Sequence, residues 1–495
     1  MLAVALPADG IEPDVAEAPA PPATSTPASG LPSQGAQATV LIDARAPRTR
    51  IPSEYLGLSF ELSSAAQIAE FGSHGNFVAL LRSLGPGVLR LGGASADTRV
   101  AWTDRLTPRP AWASSVLDPA DLKQLRVLAQ RSGWRVLLTI GLAHYEPRAA
   151  TREAAAAKLA LGPWLAGIEV GNEPDSYGHH ALRALPWTPA QYETQVSAYR
   201  QAIAARTSGI PVAGPGVSGS RAFQRWGPAE VRRQHPMLLT GHHYPLRCDA
   251  VPAPTIEDLL SERTREKESE SLLRFLAVSR ASSTPFRMDE TNTVSCGGVA
   301  GISDTFASAL WAVSYIAKTM AAGATGINLQ GNPANCSGYS PVCATSPGRL
   351  QAGQLRAQPE WYALLFTKAL VGDRPLPSRV SWQARRNLSV SALRTPAGGL
   401  QFVIVEDEPV GAGTATLRLH VGRGMATASQ LELRAPSLAA RSGVTLGGRA
   451  VSSDGSFAQT ATNRALAVSD GAVSVSVPAG SATLVTVTPG GKPRG

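Results

Sequence analysis

From Pro52 onward the chain repeats one unit eight times: a short apolar run, a loop, then a helical pattern. The runs are read at Leu56–Leu62, Val88–Gly93, Trp134–Leu142, Leu165–Asn172, Pro211–Val217, Met237–Tyr244, Phe286–Glu290 and Gly326–Gly331. Strands alternating with helices imply a parallel sheet. Eight such units over roughly 320 residues fit a closed (β/α)8 TIM barrel, somewhat longer than the usual ~250. The competing arrangement is an open, doubly wound sheet. No Gly-rich dinucleotide or phosphate fingerprint follows the first run, and Leu91–Asp97 is only loosely Gly-rich, which argues against that arrangement.

The helical patterns have recognisable boundaries. In Pro119–Ser132, Leu122, Leu125 and Leu128 share a face. Thr188–Arg206 opens on an N-cap followed by Pro189 at the first helical position. A single long helix is expected over Thr255–Ser279, with the charges between Ser261 and Glu270 on its solvated face, and two more over Phe306–Ala322 and Pro359–Val371. After about Gly372 the pattern changes. Short alternating segments (Leu400–Val405, Thr414–Leu419, Ala472–Val477, Ala482–Val487) are separated by glycine-rich turns, as in a β-sandwich. The chain is thus read as α/β: a leader over residues 1–36, a strand within 37–51 expected to join the sandwich, the barrel over 52–372, and a smaller antiparallel β-sandwich over 373–495.

Composition sets limits. With 495 residues, 43% of them hydrophobic, the chain can bury a large core and form two domains. No run of 18 or more apolar residues suggests a membrane span. The formal charge of +9 suits a polyanionic partner, yet the basic residues are scattered, and no nucleic-acid partner is expected. The spacings of Cys248, Cys296, Cys336 and Cys343 match no zinc pattern. Cys336 and Cys343 share one loop and could bridge locally, but free thiols and all three pairings remain open. Residues 1–36 are rich in Ala, Pro, Ser and Thr and lack a basic n-region, so they read as a flexible leader. A secreted or periplasmic, monomeric protein is the expectation.

Two stretches carry chemistry. Gly167–Asp175 ends an apolar run in Asn172-Glu173-Pro174, and Pro285–Asn292 ends another in Asp289-Glu290. In a barrel, catalytic groups come from the C-terminal ends of strands. Glu173, after the fourth run, and Glu290, in the seventh, would meet across the mouth, and a carboxylate pair flanking a bond is what glycoside hydrolysis requires. Side chains alternate along a strand, so His242 and Tyr244 share a face while His243 points away. Tyr244 is placed to donate to Glu290. Glu61 at the end of the first run is read as a sugar-hydroxyl acceptor or a partner of Arg90. Gln330 on the eighth run, and Tyr339 in the long loop Gly331–Gly348, are further candidates for substrate contact. No cofactor or metal is called for.

These residues resemble the clan of retaining glycosidases built on (β/α)8 barrels. More narrowly, Glu290–Gly298 followed by Ser303-Asp304-Thr305-Phe306-Ala307 is similar to glycoside hydrolase family 79, which contains β-glucuronidases and heparanases. Leu89–Gly93, His242-His243-Tyr244 and Pro359–Tyr362 extend the likeness across the barrel. The resemblance implies Glu173 as acid/base and Glu290 as nucleophile, with Tyr244 beside it. It also implies Gly297 and Tyr339 as a grip on the carboxylate of glucuronic acid. Asn172, next to Glu173 in the chain, is a further candidate for substrate contact. Ser295 and Cys296 depart from the family pattern, and Cys296 would tie its loop to Cys248 or to the Cys336–Cys343 loop. The implied substrate is a β-linked glucuronic-acid-containing carbohydrate. Endo-action on a sulfated chain, a neutral-sugar hydrolase and a non-catalytic acidic-sugar-binding protein are the alternatives.

Overall fold

The computed structural model describes residues 37–458 and 463–490; the leader read over residues 1–36 lies outside them. Eight parallel strands hydrogen-bond in chain order, and the eighth, Gly326–Gly331, closes on the first, Leu56–Glu61. The other six are Val88–Gly92, Arg135–Ile140, Leu165–Val170, Val212–Val217, Leu238–His243 and Phe286–Thr291. The fold is a TIM barrel with an appended β-sandwich. Among the described residues no helix is long and apolar enough to cross a membrane.

Two local departures from the sequence reading have physical causes. The charged stretch expected as one helix over Thr255–Ser279 is two, Ile256–Leu260 and Glu262–Ser282. Ser261 sits between them in an extended conformation, ψ 148°, and its Oγ accepts from the Thr264 N–H at 3.1 Å. An N-cap residue must be non-helical to satisfy the next helix's free N–H groups, so this serine ends one helix as it begins the other. The fourth strand also stops early. Gly171 at φ +80° ends it at Val170 and leaves Asn172 and Glu173 in the loop above the sheet.

The sandwich consists of a seven-stranded and a five-stranded sheet. Leu400–Glu406 in the larger sheet is buried along its whole length, as expected when both faces are covered. Phe402 and Ile404 fill the space between the two sheets, while Val403 and Val405 join the barrel core. The strand Gln37–Ile42 lies in the smaller sheet, antiparallel to Ser378–Trp382 and parallel to Thr414–His420, the one parallel pair in that sheet among the described residues. The helix Phe306–Ala322 is buried between barrel and sandwich. Its first N–H groups, which no helical carbonyl can reach, donate to the sandwich carbonyls of Ala440 (2.8 Å) and Leu438 (2.9 Å). The barrel that carries the site is thus fixed to the C-terminal domain by apolar packing and by backbone hydrogen bonds.

Candidate active site

Three of the buried strands contribute charges to one layer: Arg90 from the second, Glu169 from the fourth and Asp289 with Glu290 from the seventh. A buried charge is tolerated only when paired. Here the groups pair with one another. The Arg90 guanidinium is fully buried and donates from Nη1 to Glu290 Oε2 (2.6 Å) and Ser59 Oγ (3.1 Å). From Nη2 it reaches Glu169 Oε2 (3.0 Å) and Asn172 Oδ1 (2.9 Å), and it lies 3.2 Å from His242 Nε2. Its Nε is 2.9 Å from Asp289 Oδ2 without hydrogen-bond geometry, a purely coulombic contact. Thr139 and Thr240 donate to the two oxygens of Glu169 at 3.0 and 2.6 Å.

Asp289 and Glu290 are consecutive, and strict alternation would turn them to opposite faces. Both nevertheless touch Arg90. The pairing of the seventh strand with the sixth slips register between Met288 and Glu290, and such a bulge re-aims one side chain. Glu169 and Asp289 were not among the residues singled out from sequence. The available signal was a carboxylate in the middle of an apolar strand run, which needs a buried partner.

Above this layer lies the carboxylate pair. Glu173 has φ +47°, a left-handed conformation costing about 1 kcal/mol or more for a side chain with a Cβ, and it persists because its N–H donates to Gly216 O at 2.8 Å. Its Oε1 lies 2.9 Å from His242 Nδ1. The Tyr244 hydroxyl donates to Glu290 Oε1 at 2.9 Å, so His242 and Tyr244 share a face, as alternation implies. A carboxylate oxygen of Glu173, one of Glu290 and a His242 ring nitrogen all lie within 4.8 Å of one another. The two acids differ in exposure: the Glu173 side chain is 26% accessible and that of Glu290 9%.

The electrostatics separate the groups further. Burial alone would raise the Glu290 carboxyl, but His242, Arg90 and the Tyr244 hydroxyl outweigh it and hold the group below the ordinary carboxylate value. Burial would lower His242, yet Glu290, Asp289 and Glu173 together push it up to about 9 against the opposition of Arg90. Asp289 is pushed up to about 8, first by burial and then by Glu169, with Arg90 opposing. At neutral pH the layer therefore holds a cationic arginine and an ionised Glu290, while burial and neighbouring charge draw Asp289 and His242 toward their proton-bearing forms. Two trios are compact enough to hold a cation, Glu173–His242–Glu290 and Glu169–His242–Asp289. Arg90 touches members of both and already supplies positive charge there.

The remaining candidates fall into two groups. Tyr339 is drawn to the pair: its ring stacks on Tyr244 with centroids 5.8 Å apart, the two hydroxyls are 3.3 Å apart, and its N–H donates to Gly297 O at 3.1 Å. A Cβ on Gly338 would lie 2.1 Å from Gly297 O and one on Gly298 2.4 Å from Tyr339 N, so glycine lets the two loops meet backbone to backbone. The disulfides Cys248–Cys296 and Cys336–Cys343 fix these loops, and no free cysteine remains among the described residues. Asn172 and Glu61 are held by protein groups. Asn172 accepts from Arg90. Glu61 does not pair with Arg90, whose charge is taken up by the deeper acids; instead its Oε2 accepts from the Ser95 N–H at 2.8 Å. Gln330 is buried on the eighth strand, and its Oε1 has no partner among the described residues. A recess of about 210 Å³ adjoins Glu173, lined in part by Thr98, Ser176, His180 and Leu182.

No protein-family model matches this sequence, and no curated protein matches it. Solved structures share its architecture. A 4-O-α-L-rhamnosyl-β-D-glucuronidase from Fusarium oxysporum 12S is 18% identical with a TM-score of 0.72, over 91% of this chain and 100% of that one. A GH51 arabinofuranosidase from Xanthomonas axonopodis pv. citri is 13% identical with a TM-score of 0.66, over 92% and 100%. A GH30 endoxylanase from Clostridium papyrosolvens C71 is 13% identical with a TM-score of 0.53, over 91% and 100%. At these identities the likeness establishes the fold.

Proposed function

We propose that the chain is a retaining glycoside hydrolase that removes β-linked glucuronic acid from glycoconjugates or polysaccharides. The observation that carries this reading is the approach of Glu173 and Glu290 to within 4.8 Å, one half-open and one buried beneath donors. Retaining enzymes hold their carboxyl groups about 5–5.5 Å apart, and inverting ones leave a wider gap for water. The enzymes named in the comparisons are all glycosidases, one of them acting on a glucuronide, which favours the same class.

In the first step Glu290 attacks the anomeric carbon and the bond to the leaving oxygen breaks. Arg90 and Tyr244 aim the attacking carboxylate and keep it ionised. His242 engages Glu173 Oε1, which leaves Oε2 to deliver the proton to the leaving oxygen. The leaving group sits on the Glu173 side, where the 210 Å³ recess opens. In the second step Glu173 takes a proton from water, the water oxygen displaces Glu290, and the sugar leaves with its configuration kept. The Tyr339 hydroxyl and the Gly297 N–H, which has no partner among the described residues, are suited to grip the sugar carboxylate. Glu61 and Gln330 are left for its hydroxyls.

The test is hydrolysis of a chromogenic β-D-glucuronide by the wild-type chain and by Glu290→Gln. The variant should fold and bind, and lose activity by on the order of 10³-fold or more. A Glu290→Gln protein with near-normal turnover removes the proposed nucleophile. A wild-type protein that cleaves arabinofuranosides or xylosides and leaves glucuronides intact reassigns the substrate.

A further inference from the structure

A second cavity, of about 480 Å³, lies at the junction of the two domains. One wall is the excursion after the eighth barrel strand, beyond the Cys336–Cys343 bridge, with Arg349 on the short helix Pro347–Gln351 and Arg356 paired across from Cys343. The other wall is the sandwich segment from Arg441 to Ser453. Tyr362 joins the walls: its hydroxyl accepts from the Val451 N–H at 3.0 Å. Among the described residues no carboxylate lines this cavity.

The three arginines are unequally satisfied. Arg441 Nε is 3.0 Å from Asp304, itself buried and fixed by the Gly301 N–H at 2.6 Å. The Arg349 side chain has no ion pair or hydrogen bond among the described residues. Arg356 faces only an amide: with Gln358 oriented to present its oxygen, Arg356 Nη2 lies 2.9 Å from it. Two solvent-exposed guanidinium groups therefore line one cavity with no negative partner among the described residues. Guanidinium groups match planar and tetrahedral oxyanions through paired N–H donors, and domain junctions favour ligand sites of about 300–1,000 Å³.

We infer that this junction cavity is a second anion-binding site, taking a sulfate or carboxylate group carried on a sugar away from the scissile bond. The oxyanion assignment is independent of the proposed hydrolase. The saccharide assignment rests on it, since the wall that carries Arg349 and Arg356 continues directly from the loop that holds Tyr339 beside the carboxylate pair.

Binding is measured by calorimetry on the full chain carrying Glu290→Gln, so that no ligand is consumed. The probes are a sulfated, glucuronic-acid-containing octasaccharide, a neutral glucose octasaccharide and inorganic sulfate. The sulfated octasaccharide should bind more tightly than the neutral one. R349A/R356A should weaken it about tenfold or more, and R349K/R356K should restore part of the loss. In the otherwise wild-type chain, R349A/R356A should leave kcat/KM on the short chromogenic glucuronide and the melting temperature unchanged. Equal binding of the sulfated octasaccharide with and without the two arginines overturns the site. Inorganic sulfate binding as tightly as the octasaccharide, and losing that affinity in R349A/R356A, overturns only the saccharide assignment. If the wild-type chain hydrolyses no glucuronide while the arginine-dependent binding holds, the hydrolase reading fails and the anion site stands.

Discussion

Two interiors of this molecule are built on opposite principles. Between the sheets of the sandwich lie Phe402, Ile404, Leu417, Val475, Val485 and their apolar neighbours, whose burial stabilises the domain by the ordinary hydrophobic mechanism. At the mouth of the barrel the same depth is filled by Arg90, Glu169, His242, Asp289 and Glu290. Buried ion pairs of this kind contribute little net stability compared with apolar packing. The contrast teaches that the barrel mouth is arranged to hold one carboxylate ionised beside a more open one, at a cost in stability that the apolar layer between the sandwich sheets does not bear.

Replacing Arg90 by alanine probes this contrast hardest. It leaves Glu169 and Glu290 buried without their cation, so stability should drop by about 3–5 kcal/mol and the proposed hydrolysis of a glucuronide should vanish in whatever fraction remains folded. Denaturant melts and active-fraction assays check both; a mild effect on both would show that the mouth does not depend on its arginine. Ile404→Ala is the counterpart in the sandwich. It should destabilise by about 2–5 kcal/mol through lost packing while kcat of the folded protein at 25 °C stays near wild type. A matching loss of kcat would mean that the two interiors are coupled.

A smaller effect is read from pH. Asp289, pushed up to about 8 by burial and Glu169, binds its proton more tightly folded than unfolded. Its contribution is complete below its ordinary value of 3.8 and is lost as pH rises through about 8. That of His242 is complete below 6.5 and is lost as pH rises through about 9. Glu153 and Glu360, each raised to about 8 by burial, act in the same direction. The melting temperature should therefore fall between pH 6.5 and 9. Asp289→Asn should make the fall shallower without abolishing it. An unchanged slope in that variant would mean that Asp289 is already ionised in the folded protein. Smallest of all, Tyr339→Phe should raise KM for a glucuronide about tenfold or less, with kcat nearly kept, by removing one hydroxyl contact.

Much of the barrel was legible because its code is local. Each strand announces itself as a short apolar run, and alternation along Gly241–Tyr244 was enough to place the Tyr244 hydroxyl toward Glu290. The layer beneath was not legible, because its geometry depends on a register slip at Asp289 that alternation excludes. The pairing of Arg90 with Glu61, one of two readings open for that acid, fails to form for a related reason: sequence shows which charges are buried but not which of several acids will reach them. The division of one charged helix at Ser261 hangs on a single extended residue, and the cysteine pairing depends on where loops after different strands meet. These are facts of three-dimensional proximity with no periodic signature.

In the proposed mechanism Glu290 forms a bond to the sugar. Incubating the protein with a 2-deoxy-2-fluoro-β-glucuronyl fluoride, which slows breakdown of a glycosyl-enzyme, and mapping the modified peptide by mass spectrometry tests it directly. One added fluoroglucuronyl group, on Glu290, is expected, with turnover lost in step. An enzyme that cleaves β-glucuronides with inversion, or one labelled at Glu173 or elsewhere in place of Glu290, would contradict it.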